Sequence, residues 1–524
     1  MDFYRLTLVI PGMLRKSSIF LVWLFFIKGM CFGLPLLETE NFNLSLDTYL
    51  RADVVSFKNV VDLDSHNRDD HSTYLGVDYS LGFHLDLKGG DQRLYLKLER
   101  NGPYDYDAPL FIHNTLMVSG PSRIEAYRDD ELLPQAEEFW FDLPIANLPL
   151  RFKAGLFPYE VGKGFAQGTG SFENYGFNLY HPSDNFSWRF HYFRPDLVYK
   201  THLGPKIRQE KDEGISYEPN AANYFALDAA IVSDKNKFQP FVGVLLDRTN
   251  VDKRANIFVA PVRKETLGTL GLDYDTKLKD LSLGFELARN FGKAESEDAD
   301  FKDVQHKGYL VYTTAAYNIG KFSPHCQFLF SSGNKVTTEM VDNDNVDEKF
   351  SSGANKAFST YSPLNTNLFD SLSPIADSLP LVFFGWGNGL NYGVGINRPS
   401  TLADDGVLEN MIMPSVGFDY NFTDKFSVTV DWWYIKANEK GVGTLGGFAK
   451  ELSRNLGQEI DLSFYYDINK NVNISLCTGY FSPGKYFKEE RDDTTEGSLF
   501  TPFVRGDGFA NAAYQIELSL EFNF

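Results

Sequence analysis

The last eleven residues, Tyr514-Gln515-Ile516-Glu517-Leu518-Ser519-Leu520-Glu521-Phe522-Asn523-Phe524, alternate apolar and polar without a fault and end on phenylalanine. On a strand successive side chains point to opposite faces. Tyr514, Ile516, Leu518, Leu520, Phe522 and Phe524 therefore share one face, and Gln515, Glu517, Ser519, Glu521 and Asn523 share the other. One face suits lipid and the other suits water. A tilted strand needs about ten residues to cross a bilayer, and this segment supplies that length. A soluble sandwich strand also alternates, but rarely without a break for eleven residues up to a terminal aromatic.

Working outward from this segment, the same period recurs from residue 42 onward. Leu44, Leu46, Thr48 and Leu50 alternate with Ser45, Asp47, Tyr49 and Arg51, and Leu75 to Leu87 repeats the pattern against Gly76 to Lys88. Further cases are Phe225 to Ile231, Leu281 to Leu287, Ile412 to Phe422, Phe426 to Tyr434, Ile460 to Tyr466 and Val472 to Tyr480. Short connections rich in Gly, Asn and Asp read as tight turns: Gly89-Gly90-Asp91-Gln92, Thr423-Asp424-Lys425 and Asn469-Lys470-Asn471. The connections over 58–72, 101–122, 200–222, 331–380 and 436–455 are long and polar. This predicts an all-β fold, a single transmembrane antiparallel barrel of about 16–18 strands with short periplasmic turns and long extracellular loops. Trp140, Trp188, Trp432 and Tyr434 fall near strand ends, where amphipathic rings favour the membrane interface.

Composition agrees. Aromatic residues make up 15% of the 524 residues, with 46 Phe and 28 Tyr, yet mean hydropathy is only −0.28, because polar residues are interleaved with apolar ones. After the N-terminus no run approaches the roughly eighteen apolar residues of a spanning helix, so any crossing must use strands. At the N-terminus Arg15 and Lys16 precede the apolar run Ile19 to Ile27, and Cys31-Phe32-Gly33 places small residues for cleavage before Leu34. This predicts a signal peptide over 1–33 and a barrel over 34–524, with translation starting at Met1 or Met13. Such cleavage removes Arg5, Arg15, Lys16 and Lys28 with Asp2, so the formal charge of −20 becomes −23. That charge argues against nucleic acid as a partner. Only Cys326 and Cys477 then remain, too few for a disulfide framework.

On the polar faces, Arg51, Arg151, Lys153 and Arg189 are the candidate solute-contacting cations, and Glu459, Asp461, Glu517 and Glu521 the candidate acids. Arg151 and Lys153, two apart on one face with Arg189 nearby, form a basic ladder opposite acidic strands. Such a transverse field orients polar solutes; the alternative is that these cations pair with wall carboxylates. The stretches Asp62 to His71 and Asp342 to Glu348 offer oxygen ligands but lack the glycine of a calcium loop, so solvated acidic loops are expected rather than a metal site. His84, His191 and His325 have no serine or carboxylate partner set by spacing, and no catalytic or cofactor-binding residue is expected.

Two segments resemble the alginate-export family of outer-membrane porins. The first runs from Glu138-Phe139-Trp140 through Leu150 to Gly155 and on to Asn174-Tyr175-Gly176-Phe177-Asn178-Leu179. The second is Leu456 to Leu462, leading through a hairpin to Gly479-Tyr480-Phe481-Ser482-Pro483-Gly484. Together they cover about a fifth of the chain, the rest matching in strand rhythm. The resemblance implies a lumen rich in arginine and lysine that escorts a polyanionic polysaccharide outward. Where that family places arginine-bearing sequence, this chain reads Leu156-Phe157-Pro158-Tyr159-Glu160, and Asp47, Asp53, Asp78, Asp86, Asp273, Asp275 and Glu286 join the acids on the wet face.

The expectation is therefore a channel in a Gram-negative type outer membrane that passes small hydrophilic solutes. Its selectivity would come from mixed lumenal charge and from loops 101–122 and 331–380 folding inward. The alternatives are an exporter of an acidic, alginate-like polysaccharide, or a barrel sheathing a partner protein. Expected partners are outer-membrane lipid and lipopolysaccharide, the solute itself, and the barrel-assembly machinery through the terminal Phe524.

Overall fold

The computed structural model describes residues 35–58, 71–88, 91–100, 135–169, 174–195, 223–248, 262–296, 302–335, 353–356, 358, 379–382, 410–445, 448–489 and 510–523. The expected leader 1–33, the acidic stretches 62–70 and 342–348, loop 101–122 and Phe524 lie outside these residues.

Eighteen strands form the wall: β1 Phe42–Lys58, β2 His71–Leu87, β3 Gln92–Arg100, β4 Gln135–Pro144, β5 Arg151–Leu156 and β6 Asn174–His181; β7 Phe186–Pro195, β8 Asn223–Val232, β9 Asn236–Asp247, β10 Val262–Leu278, β11 Leu281–Ser296 and β12 Tyr309–Tyr317; and β13 Phe322–Ser331, β14 Met411–Thr423, β15 Phe426–Ala437, β16 Asn455–Asn469, β17 Val472–Pro483 and β18 Ala513–Asn523. Each pairs antiparallel with the next, and β1 pairs with β18, placing Tyr49 opposite Asn523, Arg51 opposite Glu521 and Lys58 opposite Tyr514. That last pairing closes the sheet and leaves no edge among these strands. The short strand Pro35–Glu38 adds onto the foot of β1.

One rim carries the tight connections, including 88–91, 424–425 and 470–471, and both strand termini. Asp91 (φ 51°) and Lys279 (φ 58°) take the left-handed backbone that such turns demand. The other rim carries every long connection and faces outward in barrels of this kind.

Burial is inverted relative to a soluble protein. On β18, Gln515, Glu517 and Ser519 are 0, 6 and 1% exposed, whereas Ile516 and Leu518 are 37 and 46% exposed. Leu227, Leu270, Val416 and Ile460 likewise stand on the outside, so a continuous apolar belt encircles a polar interior. In water that belt is unaffordable; in lipid it is the stabilising surface. The chain is thus a closed, transmembrane antiparallel β-barrel of the outer-membrane type.

The interior has two zones. Towards the turn rim the lumenal side chains are polar, as alternation predicts. Towards the loop rim they turn apolar: Val55, Leu245, Leu267, Leu310, Leu329, Met413, Ile435 and Phe481 join one core with Phe157, Phe165, Phe358, Leu379, Val382 and Phe487 from the loops. Trp140 departs from its expected interfacial place. Its register row, Tyr95, Trp140 and Gly155, faces inward, and the Lys153 Nζ lies 3.8 Å from its ring centroid. Trp188, Trp432 and Tyr434 do lie on the outward face.

Candidate constriction and lumenal charges

The segment after β5 enters the lumen. Gly155 adopts φ 133°, and a Cβ there would sit 2.1 Å from the Phe139 carbonyl oxygen, so only glycine permits the strand to break away. The chain then forms a hairpin in which Tyr159–Val161 pairs with Gln167–Thr169, its tip turned by Gly162 (φ 66°) and Gly164 (φ 78°). Phe157 packs on Phe193 at 5.3 Å, Tyr159 sets its edge on His191 at 4.3 Å, and Phe165 lies 4.3 Å from Tyr312. These rings anchor the hairpin against the wall with desolvated aromatic contacts.

The tip is held electrostatically. The Glu286 carboxyl on β11 accepts the backbone N–H groups of Lys163 and Ala166, both at 2.7 Å, so it sits in a small nest of amides. The Lys163 Nζ donates to Asp273 at 2.7 Å and Asp275 at 2.6 Å on β10. Burial works against the Lys163 ammonium, but hydrogen bonds and charge from the two aspartates outweigh it and hold its pKa above the ordinary lysine value. Burial likewise pushes the Tyr159 phenol well up. The hairpin thus springs from β5 and ties down five and six strands further round the wall.

A second inward segment, residues 379–382, meets the opposite wall. The Leu381 N–H donates to Asp461 at 3.3 Å and the Val382 N–H to Glu459. Asp461 lies over Gly479 of the neighbouring strand, where a Cβ would come 2.7 Å from its Oδ1 and 2.7 Å from Val382. Two of the candidate solute-binding acids therefore support a loop.

Arg51 donates through Nε to Asp53 at 2.6 Å, and through Nη2 to Glu517 and, at 3.2 Å, to Ser519; Glu521 lies 3.9 Å away. This cluster spans the β1–β18 seam. Arg151 and Arg189 do occupy one register row, joined through Tyr180. Arg151 pairs with Asp142 at 3.0 Å and with Asp91, and Arg189 with both oxygens of Asp228 at 3.1 Å. Lys153 is stacked on Trp140 and Phe157. The ladder exists, and its members are engaged by the wall. His191 bonds Asp228 at 3.0 Å, and His325 sits between Asp431 at 2.8 Å and Asp419 at 3.2 Å.

Inward lysines and arginines, but not acids, are confined to one arc of the circumference, since β1 to β10 also turn Asp47, Asp53, Asp142, Asp228, Glu265, Asp273 and Asp275 inward. Among the described residues, β11 to β18 turn Glu286, Asp419, Asp431, Glu459, Asp461, Asp467, Glu517 and Glu521 inward and no lysine or arginine. Arg93, Lys97, Lys237 and Lys277, alongside the four candidate cations, stand on β1 to β10. Arg93 and Lys97 were legible in the alternation of Gln92–Arg100. Lys163 was not, since its partners lie more than a hundred residues away.

Fold and site together define an outer-membrane-type β-barrel with a hairpin folded into its interior. No protein-family model matches the chain, and no curated protein does. The resemblance to the alginate-export family accordingly finds no family model behind it. Among solved structures the chain is similar to Pseudomonas aeruginosa OpdK with vanillate, at 10% identity over 91% of this chain and 98% of that one, TM-score 0.45. It is also similar to the outer-membrane protein OprD of the same organism, at 11% identity over 92% and 93%, TM-score 0.45.

Proposed function

We propose that this barrel is a channel through which small hydrophilic solutes cross the outer membrane by diffusion. The observation that carries the reading is the hairpin 157–169, folded into the lumen and pinned to Glu286, Asp273 and Asp275. A chain that only needed to close its barrel has no use for a buried tie across it; a channel that sorts solutes by size does. The arc β11 to β18 turns acids inward with no lysine or arginine among the described residues, while β1 to β10 balance cations with acids. The lumen is therefore weighted towards negative charge on one side, a field that favours cationic or polar solutes. Arg51, Arg151 and Arg189 are each held by carboxylates, so the lumen offers a polyanion little net attraction, and the polysaccharide exporter is disfavoured. The apolar filling of the outer half favours, as a second reading, a barrel that sheathes or supports a partner.

Planar-bilayer recording of the purified protein separates these. Discrete ion-conducting steps with a reversal potential showing weak cation preference are expected. Absence of steps overturns the channel in favour of the sheath, and strong anion preference would revive polyanion export.

A further inference from the structure

The lipid-facing side of the wall is apolar over most of its height but ends, at the loop rim, in a band of cations. On neighbouring strands the outward positions beyond Leu246, Thr266 and Phe291 are Arg248, Lys264 and Lys293, and Arg289 projects outward one position short of Phe291. The Arg248 Nη1 donates to the Glu265 carbonyl at 2.9 Å, which seats it beside Lys264. Lys264 stands opposite Glu295, and the Lys293 Nζ lies 3.0 Å from Glu295 and 3.6 Å from Asp303 of the adjoining loop, which leaves Lys264, Arg248 and Arg289 as the cations in excess. Lys58, Arg194 and Lys436 take outward positions at the same rim elsewhere round the barrel. Among the described side chains of the outward strand face this gives seven cations against one acid, Glu295, in a chain whose formal charge is −20. The turns at the opposite rim carry both signs, as in Asp234-Lys235, Lys279-Asp280 and Asp424-Lys425.

Cations on the lipid face are expensive within hydrocarbon and tolerable only near the interface. Arg289 is nevertheless exposed among Leu270, Leu287, Phe291 and Tyr309. A guanidinium in that setting satisfies its five donors best by gripping phosphate oxygens at the headgroup level, its stem lying along the apolar surface. We infer that the patch formed by Arg248, Lys264, Arg289 and Lys293 binds the phosphorylated headgroups of lipids in the outward leaflet. The inference rests on the membrane-barrel orientation, not on the conductance of the pore.

Detergent-solubilised protein mixed with bisphosphorylated lipid A and examined by native mass spectrometry tests it. The expected result is retained lipid A on the parent protein, at least a tenfold loss of occupancy in K264Q/R289Q/K293Q, and no change in K425Q/K470Q at the turn rim. Fully dephosphorylated lipid A should bind at least tenfold less to the parent protein, and that comparison needs no variant. Equal retention by the triple variant, or equal binding of the dephosphorylated lipid, overturns the site. Displacement by equimolar inorganic phosphate would show a free-anion site and overturn the lipid assignment. Heat-modifiable gel migration scores barrel folding in every sample, so failure of the barrel reading registers separately.

Discussion

Glu286 concentrates the logic of the constriction. Its carboxylate is buried and satisfied by two amides of the hairpin tip. Glu286→Ala leaves those N–H groups without their acceptor at a cost of about 1–3 kcal/mol each. The expected outcome is a larger, noisier single-channel conductance with the barrel intact, read in bilayer recordings beside heat-modifiable migration. Gly162→Ala attacks the same tip differently. A non-glycine residue at φ 66° costs about 1–2 kcal/mol, and the new Cβ would lie 2.8 Å from a Glu286 oxygen, so a similar conductance change is expected. The Lys163 tether has a defined pH range. Its folded-state pKa is raised, so its stabilisation is fully present below the unfolded lysine value of about 10.4 and is lost as pH rises through the higher folded value. Measured in a Glu286→Gln background, which removes the titration of the carboxyl holding the same tip, current noise should stay flat from pH 6 to 9 and grow only in strong alkali, and growth at pH 7 to 8 there would contradict the assignment.

At the scale of the element, each strand answers to two environments, and the sequence is clear where both are simple. β18 faces lipid on one side and the polar lumen on the other, so its alternation is unbroken. Leu518→Arg, at its centre, should cost about 2–4 kcal/mol in urea titrations of folding into vesicles, the midplane value for a lipid-facing arginine. Met411-Ile412-Met413 and Trp432-Trp433-Tyr434-Ile435 are apolar on both faces, because lipid covers one and inward-folded loops cover the other. There the period of two fades, although the strands remain. The constriction was legible only in part. Length pointed to loops 101–122 and 331–380. The first lies outside the described residues, while Phe358 and Leu379 of the second do reach the core. The hairpin 157–169 reads as a Gly-rich connection, since nothing local reveals that Phe157, Tyr159 and Val161 find their partners across a lumen. Likewise Glu459 and Asp461 were visible as lumenal acids, and their role as acceptors for residues 381 and 382 was not, because it depends on a contact about eighty residues distant in the chain.

For the whole molecule, the arrangement is a hoop of eighteen strands closed at the Arg51 cluster and tied internally by the hairpin. An empty hoop of this circumference yields to sideways pressure from the bilayer by going oval. A tie anchored at β5 and at β10 and β11 works as a spoke, fixing one chord of the cross-section. The same few contacts then set both the aperture and the roundness of the wall. Releasing Lys163 or Glu286 must therefore also soften the hoop, so that a variant freed at the hairpin tip gives up resistance to lateral pressure in the same step.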